Sequence, residues 1–186
     1  KKDFDLQYAT PILSKMESYF HGSSSGMDPL VSLTGKAVCK NEKGEFQLID
    51  DPGWPDNFSI FLLDSGLSRE TASLVNEFQN LMKDAEYSGA IQKKLIPLVE
   101  HALHFYQYRE NDMLEECISA ISQMQRVYFE RMIPPGVRTY WDALASHEGL
   151  YLKLCGAGGG GFFLLIKTKP NVEIIESFEN SLLRIK

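Results

Sequence analysis

The sequence predicts an α+β protein in two pieces. Short runs typical of strands occupy residues 58–63, 151–155 and 162–166, whereas residues 70–132 follow a helical period. Strands that are segregated from helices along a chain are typical of α+β domains. A cluster of Asp, Pro and Gly before the first of these strands is the best linker candidate, so the domains are predicted at residues 1–52 and 53–186.

Composition indicates a soluble globular protein. The chain has 186 residues, of which 44% are hydrophobic, enough to bury a sizeable core. Its formal net charge is −6 and it has no basic stripe interleaved with aromatic residues, which argues against a nucleic-acid partner. No run of about 18 apolar residues is present, so no membrane span is expected. The first residues also lack the apolar core of a signal peptide.

The cysteines and histidines predict neither a disulfide framework nor a zinc site. Cys39, Cys117 and Cys155 are odd in number, far apart and without a Cys-x-x-Cys pair. The histidines show no ligand spacing with them, and His101 and His104 are expected on a helix surface. A reducing, cytoplasmic location fits this cysteine usage best.

The first predicted helix covers residues 10–20, with Pro11 as its first residue and Gly22 as its end. Glu17 and His21 are four residues apart, so they lie on one face near the C-terminal end. A carboxylate at that end opposes the helix dipole unless a cation compensates it. Glu17 is therefore either a metal ligand or one half of an ordinary surface pair with His21.

The loop after this helix, from His21 to Ser32, is the strongest candidate site in the first domain. Its glycines allow a backbone to approach a ligand closely, and its three consecutive serines favour anions. Asp28 among such donors suits a proton acceptor or a metal ligand. The alternative is helix capping: Asp28 as N-cap before Pro29, or Ser25 as N-cap with Asp28 completing a Ser-x-x-Asp capping box.

A hairpin is expected next, with strands at residues 36–40 and 45–49. Further along, Ser68 is the expected N-cap of a helix that places Arg69 and Thr71 in its first turn, at the mouth of a strand. Because the dipole disfavours an Arg there, Arg69 is either next to an anion or a solvated surface residue. Periodicity predicts helices at residues 69–86, 90–108, 112–132, 137–147 and 172–183, with breaks near Ser88-Gly89 and Asn111-Asp112.

The second candidate site is a glycine-rich loop between two expected strands, residues 151–155 and 162–166. Five of the six residues from Gly156 to Gly161 are glycine, far more than a hairpin turn needs. The excess indicates either consecutive backbone N–H groups offered to a phosphate or a second backbone that passes close by. The loop is neither a P-loop nor a dinucleotide fingerprint, since it enters a strand and has no Gly-Lys-Ser/Thr.

Three segments of the chain resemble the GHMP kinases, the superfamily of galactokinase, homoserine kinase, mevalonate kinase and phosphomevalonate kinase, and the mevalonate kinase family most closely. They are Glu17-x-x-x-His21-Gly22-x-x-Ser25-Gly26-x-Asp28, then Leu63-x-Ser65 through Arg69-x-Thr71, then Lys153-Leu154-Cys155 with the glycines after it. Their order and approximate separation also match. The resemblance therefore spans essentially the whole chain.

The resemblance implies a role for each matching residue. Asp28 takes the proton from the substrate hydroxyl, and Glu17 helps to hold a Mg²⁺ ion that bridges the ATP phosphates. The substrate is bound by His21, Ser25, Gly26, Arg69 and Thr71. The nucleotide or phosphate loop consists of Gly156, Ala157, Gly158, Gly159 and Gly160. The resemblance also implies that Asp28, Glu17 and this loop share one cleft.

The expected architecture follows from the same resemblance. Residues 1–52 are expected to be the tail of the ATP-binding domain, and residues 53–186 a C-terminal domain with a ferredoxin-like antiparallel sheet covered by helices. The family's nucleotide-binding segment of the type Pro-x-x-x-Gly-Leu-Gly-Ser-Ser-Ala does not occur in this chain. The chain is therefore expected to be the C-terminal part of a kinase and to bind ATP poorly by itself.

The expected reaction is the Mg²⁺- and ATP-dependent phosphorylation of mevalonate, a step in isoprenoid precursor synthesis. The alternatives are another substrate of the superfamily, either phosphomevalonate or a sugar such as galactose, and a non-catalytic ligand-binding module with the same fold. The expected partners are thus small molecules, with neither nucleic acid nor membrane among them and a homodimer as one option.

Overall fold

The computed structural model describes residues 5–21, 24–41, 43–68, 71–170 and 181–186. The chain divides into two compact units, Lys1–Gly53 and Trp54–Lys186. That these units are parts of the two domains of a kinase stays a prediction.

The first unit consists of two helices and a hairpin: α1 (Leu6–His21), α2 (Met27–Thr34), β1 (Ala37–Lys40) and β2 (Phe46–Ile49). The predicted hairpin is confirmed, and its antiparallel register pairs Ala37 with Ile49. The expectation that Pro11 begins the first helix is wrong. Asp5 supplies the start instead, because its Oδ1 accepts hydrogen bonds from the N–H groups of Gln7 and Tyr8, at 3.0 and 3.2 Å.

The second unit is built on a four-stranded sheet. Its strands are β3 (Ser59–Asp64), β4 (Leu150–Leu154), β5 (Phe162–Lys167) and β6 (Leu182–Arg184). They lie in the order β4-β5-β3-β6, and every pair of neighbours is antiparallel. The first and second strands of this sheet along the chain are thus separated in space by the third, which is the split arrangement of a ferredoxin-like sheet. The predicted α+β fold class is confirmed.

The predicted last helix, residues 172–183, is wrong at its C-terminal end. Leu182 and Leu183 belong to β6 and pair with Leu63 and Leu62 on the free edge of β3. The remainder of that prediction, residues 172–180, falls outside the described residues. An apolar Leu-Leu pair fits a helix and a strand equally well. These residues form a strand because they pair with the edge of β3 that β5 leaves open.

The helices of the second unit follow β3 and lead to β4. They are α3 (Thr71–Leu81), α4 (Ala85–Ala90), a π-helical segment (Ile91–Leu95), α5 (Ile96–Tyr108), α6 (Asn111–Tyr128), a short 3₁₀ turn (Glu130–Met132) and α7 (Pro135–Leu144). The break expected at Ser88-Gly89 is wrong, because Asp84 accepts a hydrogen bond from the Tyr87 N–H at 2.8 Å and starts α4 earlier. The break before Asn111 is confirmed, with Arg109 in the left-handed conformation.

Both faces of the sheet are covered, and strand alternation divides the core between them. Leu150, Leu152 and Leu154 of β4 face α7, where they pack around Trp141. Ile60 and Ile166 face the opposite way, towards α5 and α6. None of the helices in the described part of the chain is both long and apolar enough to cross a membrane, and all three cysteines are free thiols.

Polar contacts join helix α6 to α7 and to the edge of the sheet. The indole N–H of Trp141 donates to Ser122 Oγ at 3.0 Å, and the backbone N–H of Leu154 on the edge strand β4 donates to Gln125 Oε1 at 3.0 Å. Burial opposes ionisation of Asp142, but hydrogen bonds from Arg126 and Arg138 outweigh it and lower the pKa of that carboxyl. These contacts fix α7 and the sheet edge against α6.

Candidate functional site

The loop between α1 and α2 is held tightly against α1. Gly26 has a φ of +76°, and a Cβ at this position would lie 2.9 Å from the backbone oxygen of Thr10 and 3.1 Å from the backbone nitrogen of Ser14. The Ser14 hydroxyl donates to the Ser24 carbonyl at 2.6 Å. A glycine is therefore required here because the two backbones cross within contact distance.

Glu17 is turned towards this serine loop. The Ser24 hydroxyl donates to Glu17 Oε2, while Ser24 Oγ also accepts the N–H of Gly26 at 3.0 Å. The Glu17 side chain is half-buried, so it is not simply a solvated surface carboxylate. The alternative surface pair involves the His21 side chain, which lies outside the described residues, as do Gly22 and Ser23.

Asp28 does not cap α2, so both capping predictions are wrong. The helix begins at Met27, with Gly26 at the N-cap in the left-handed conformation and without a side-chain cap. Ser25 Oγ accepts the Met27 N–H at 3.3 Å instead. The exposed Asp28 side chain stands in the first helical turn, where the positive end of the helix dipole favours a carboxylate.

The oxygen atoms at this loop suit a magnesium ion that takes most of its ligands from the phosphates of a bound substrate. No group of three His, Cys, Asp or Glu side chains in the described part of the chain could hold a metal by itself. Mg²⁺ prefers oxygen ligands and usually takes only one or two protein carboxylates together with substrate phosphates. The carboxylate of Glu17 beside the hydroxyl of Ser24 fits that kind of site.

The glycine loop of the second unit, Cys155–Gly161, connects β4 and β5. Its glycines at 156 and 158 to 161 all have positive φ. A Cβ on Gly158 would lie 2.4 Å from the Met132 carbonyl oxygen, and one on Gly160 would lie 2.7 Å from the Leu67 carbonyl oxygen. Side chains are thus excluded because other backbones pass directly beside the loop.

The N–H groups of Gly159 and Gly161 in the glycine loop are already used within the protein. Gly159 donates to the Met132 carbonyl at 2.7 Å, and Gly161 donates to the Leu67 carbonyl at 2.8 Å. Of the two explanations for the excess glycine, close passage of a second backbone is therefore the one observed. Binding of a phosphate by the N–H groups of Ala157 and Gly158 stays a prediction.

The loop lies against the corner between β3 and α3, the second of the three segments singled out in the sequence. Ser65 donates its N–H to the Gly161 carbonyl at 3.0 Å, and Gly161 donates its own N–H to the Leu67 carbonyl. Two hydrogen bonds therefore join the corner to the loop. Arg69 and the side chain of Thr71 fall outside the described residues. Glu17 and Asp28 belong to the first unit, so a cleft shared with the glycine loop stays a prediction.

The supports of the glycine loop were missed by the sequence reading. Leu74 of α3 and Met132 of the 3₁₀ turn pack against Gly159 and Gly158, and both residues line an apolar cleft of about 230 Å³ beside Ala157. These supports come from far along the chain, and no local pattern marks them. The excess of glycine indicates that another part of the chain passes close to the loop, but it does not identify Leu74 or Met132.

No family model matches the sequence, and no curated protein sequence matches it. Solved structures do match. The L. major mevalonate kinase, solved in complex with R-mevalonate, matches with a TM-score of 0.69 and 15% identity, over 98% of this chain and 58% of the kinase. The Streptococcus pneumoniae phosphomevalonate kinase matches with a TM-score of 0.53 and 11% identity, over 88% of this chain and 50% of that one.

The chain has the fold of the matched part of these two kinases. A Listeria innocua protein, Lin0012, also matches, with a TM-score of 0.56 and 13% identity over 76% of this chain and 41% of its own length. The resemblance to GHMP kinases read from the sequence is thus confirmed at the level of the fold. This chain spans between about two fifths and three fifths of the length of the matched proteins.

Proposed function

We propose that this chain is part of an ATP-dependent small-molecule kinase that phosphorylates the hydroxyl group of mevalonate. The observation that carries the proposal is the match to a mevalonate kinase over 98% of the chain with a TM-score of 0.69. The local geometry supports it, because Asp28 is exposed and not engaged in capping, and Glu17 is held beside a serine loop.

In this proposal Asp28 is the proton acceptor. The substrate hydroxyl transfers its proton to the Asp28 carboxylate while its oxygen bonds to the γ-phosphorus of ATP, and the bond from that phosphorus to the bridging oxygen breaks to release ADP. Phosphoryl transfer depends on positioning and charge stabilisation more than on covalent chemistry. The position of Asp28 in the first turn of α2 keeps this carboxylate at a fixed point on a rigid element.

Glu17 and Ser24 are proposed to hold Mg²⁺, which neutralises phosphate charge when it is bound. The Ser24 hydroxyl orients the Glu17 carboxylate through their hydrogen bond, and Ser14 and Gly26 fix the loop that carries Ser24. Arg69 and Thr71 are proposed to bind the acidic substrate. The glycine loop is proposed to form the floor below the phosphates and substrate.

The test is a coupled kinase assay of the full-length protein that contains this chain, with Asp28→Asn compared with Asp112→Asn. Both residues are exposed aspartates in the first turn of a helix, so the second is a matched control. We expect Asp28→Asn to lower kcat by about 100-fold or more, since general-base catalysis contributes factors of this order. Asp112→Asn should keep the wild-type rate. Equal rates for wild type and Asp28→Asn would remove the catalytic proposal and favour a non-catalytic module.

Phosphomevalonate is the second candidate substrate, because a phosphomevalonate kinase is also among the matched structures. The same assay with mevalonate, phosphomevalonate and galactose separates the candidates. Mevalonate should give the highest kcat/KM, and a higher value for phosphomevalonate would reassign the substrate. A cytoplasmic location and a homodimer stay predictions.

A further inference from the structure

A second cleft lies in the second unit, between α5, α6 and the face of the sheet opposite α7. It has a volume of about 390 Å³, and its lining is almost wholly apolar. Trp54, Leu103 and Tyr106 line it together with Leu164 and Ile166 of β5. Volumes of this order, with apolar walls and few polar groups, are typical of sites for small organic ligands.

Helix α5 is only partly covered by the rest of the second unit. Its sequence is rich in Leu, Val, Ile and aromatic residues, yet none of its residues is buried. Val99, which lines the cleft, is 48% exposed, and Ile96 is 46% exposed. In contrast, α6 and α7 on either side of β4 bury several side chains each. Leu98, Ala102 and Phe105 of α5 pack against the core. Val99 leaves apolar surface open at the cleft, where burial of an apolar group is favourable.

The one charged group in the lining is Lys153 of β4. Its side chain is half-buried, and its Nζ donates a hydrogen bond to the Leu154 carbonyl at 3.1 Å. Among the described residues no carboxylate lies within ion-pair distance of this ammonium group, although several other basic side chains do have such a partner. Tyr151 lies on the same face of β4 but does have a carboxylate partner, because its hydroxyl donates to Glu115 at 3.0 Å.

A positive charge in an apolar wall without a counter-ion is costly unless an anion neutralises it. We propose that this cleft binds a small amphipathic anion, with the apolar chain between Trp54 and Leu164 and the acidic head group on Lys153. The edge-to-face pair of Trp54 and Tyr106, with ring centroids 5.4 Å apart, gives the cleft a rigid aromatic side. The site is separate from the glycine loop and does not depend on the proposed kinase activity.

The test is isothermal titration of the 186-residue chain with octanoate and with octan-1-ol, which share an apolar tail and differ in the charge of the head group. Octanoate should bind about tenfold more tightly, because a charge-assisted contact to Lys153 adds to the same apolar burial. Lys153→Met should abolish this difference and leave octanol binding unchanged. Lys167→Met is the matched control, since Lys167 is a half-buried lysine of β5 that does not line the cleft.

Location in the cleft is tested by Ala102→Phe, which fills the cleft from α5 and should abolish binding of both probes. Circular dichroism establishes that each variant is folded, and Trp54→Phe serves as a milder change of the wall should Ala102→Phe fail to fold. Octyl phosphate in a parallel titration tells whether the head-group site favours a carboxylate or a phosphate. The proposal is overturned if neither anion binds, if octanol binds as tightly as octanoate, or if Lys153→Met leaves the preference intact.

Discussion

Replacing Gly158 with alanine should destabilise the second unit by about 2–5 kcal/mol, the sum of left-handed strain and of overpacking against a neighbouring backbone. The φ of Gly158 is +79°, and the new Cβ would lie 2.4 Å from the Met132 carbonyl oxygen. That oxygen also accepts the Gly159 N–H at 2.7 Å. Relief of the clash therefore breaks the hydrogen bond that fixes the loop.

Substitutions at two other glycines allow the strain and the overpacking to be measured separately. Gly66 has a φ of +68° but open space around its Cβ position, so Gly66→Ala should cost only the strain, about 1–2 kcal/mol. Gly89 lies in α4 with open space and no positive φ, so Gly89→Ala should stabilise by about 0.5–1 kcal/mol. Urea unfolding followed by tryptophan fluorescence measures all three, because both tryptophans lie in this unit. A cost for Gly158→Ala no larger than that for Gly66→Ala would contradict the close packing.

Replacing Trp141 with alanine should cost about 3–5 kcal/mol, the range for removing a large aromatic side chain from a core. Trp141 is 2% exposed and contacts Phe163 edge to face, with ring centroids 6.3 Å apart. Its removal leaves a cavity between α7 and the sheet and also leaves the buried Ser122 hydroxyl without the indole N–H. Urea unfolding followed by far-ultraviolet circular dichroism measures the change, because a fluorescent group is lost.

A double-mutant cycle isolates the hydrogen bond from the packing. Trp141→Phe keeps most of the ring but removes the donor, and Ser122→Ala removes the acceptor. Each single change should cost about 1–3 kcal/mol, because it leaves one buried polar group without its partner. The double variant should be more stable than the sum of the two costs predicts. Strict additivity would mean that the contact between Trp141 and Ser122 contributes nothing.

The strands and the hairpin could be predicted because their apolar pattern is local. Residues 58–63 and the two strands around the glycine loop were each found within one residue of their observed ends. The helix boundaries were harder. The start at Asp84 depends on one side chain that accepts one backbone N–H, and the strand at Leu182 depends on an unpaired edge of β3 far away in the sequence.

The candidate site could be predicted only as a set of local motifs. Glu17, Asp28 and the glycine loop stand out because their residue types are unusual where they occur. The hydrogen bond from Ser24 to Glu17 could not be read from the sequence, since it depends on how the loop folds back on α1. The capping prediction for Asp28 failed for a related reason: Gly26 packs against Thr10 and is the N-cap, so the helix begins at Met27, two residues earlier than predicted.

The π-helical segment Ile91–Leu95 makes this part of the chain tolerant of length variation. A π turn accommodates one residue more than an α turn does. Deletion of the exposed Lys93 should let the segment shorten to an α-helix and leave the side chains on either side pointing as before. The same deletion at the exposed Glu116 of α6 would rotate all later positions by about 100° and expose the buried face. Thermal unfolding should therefore differ sharply between two variants of identical length.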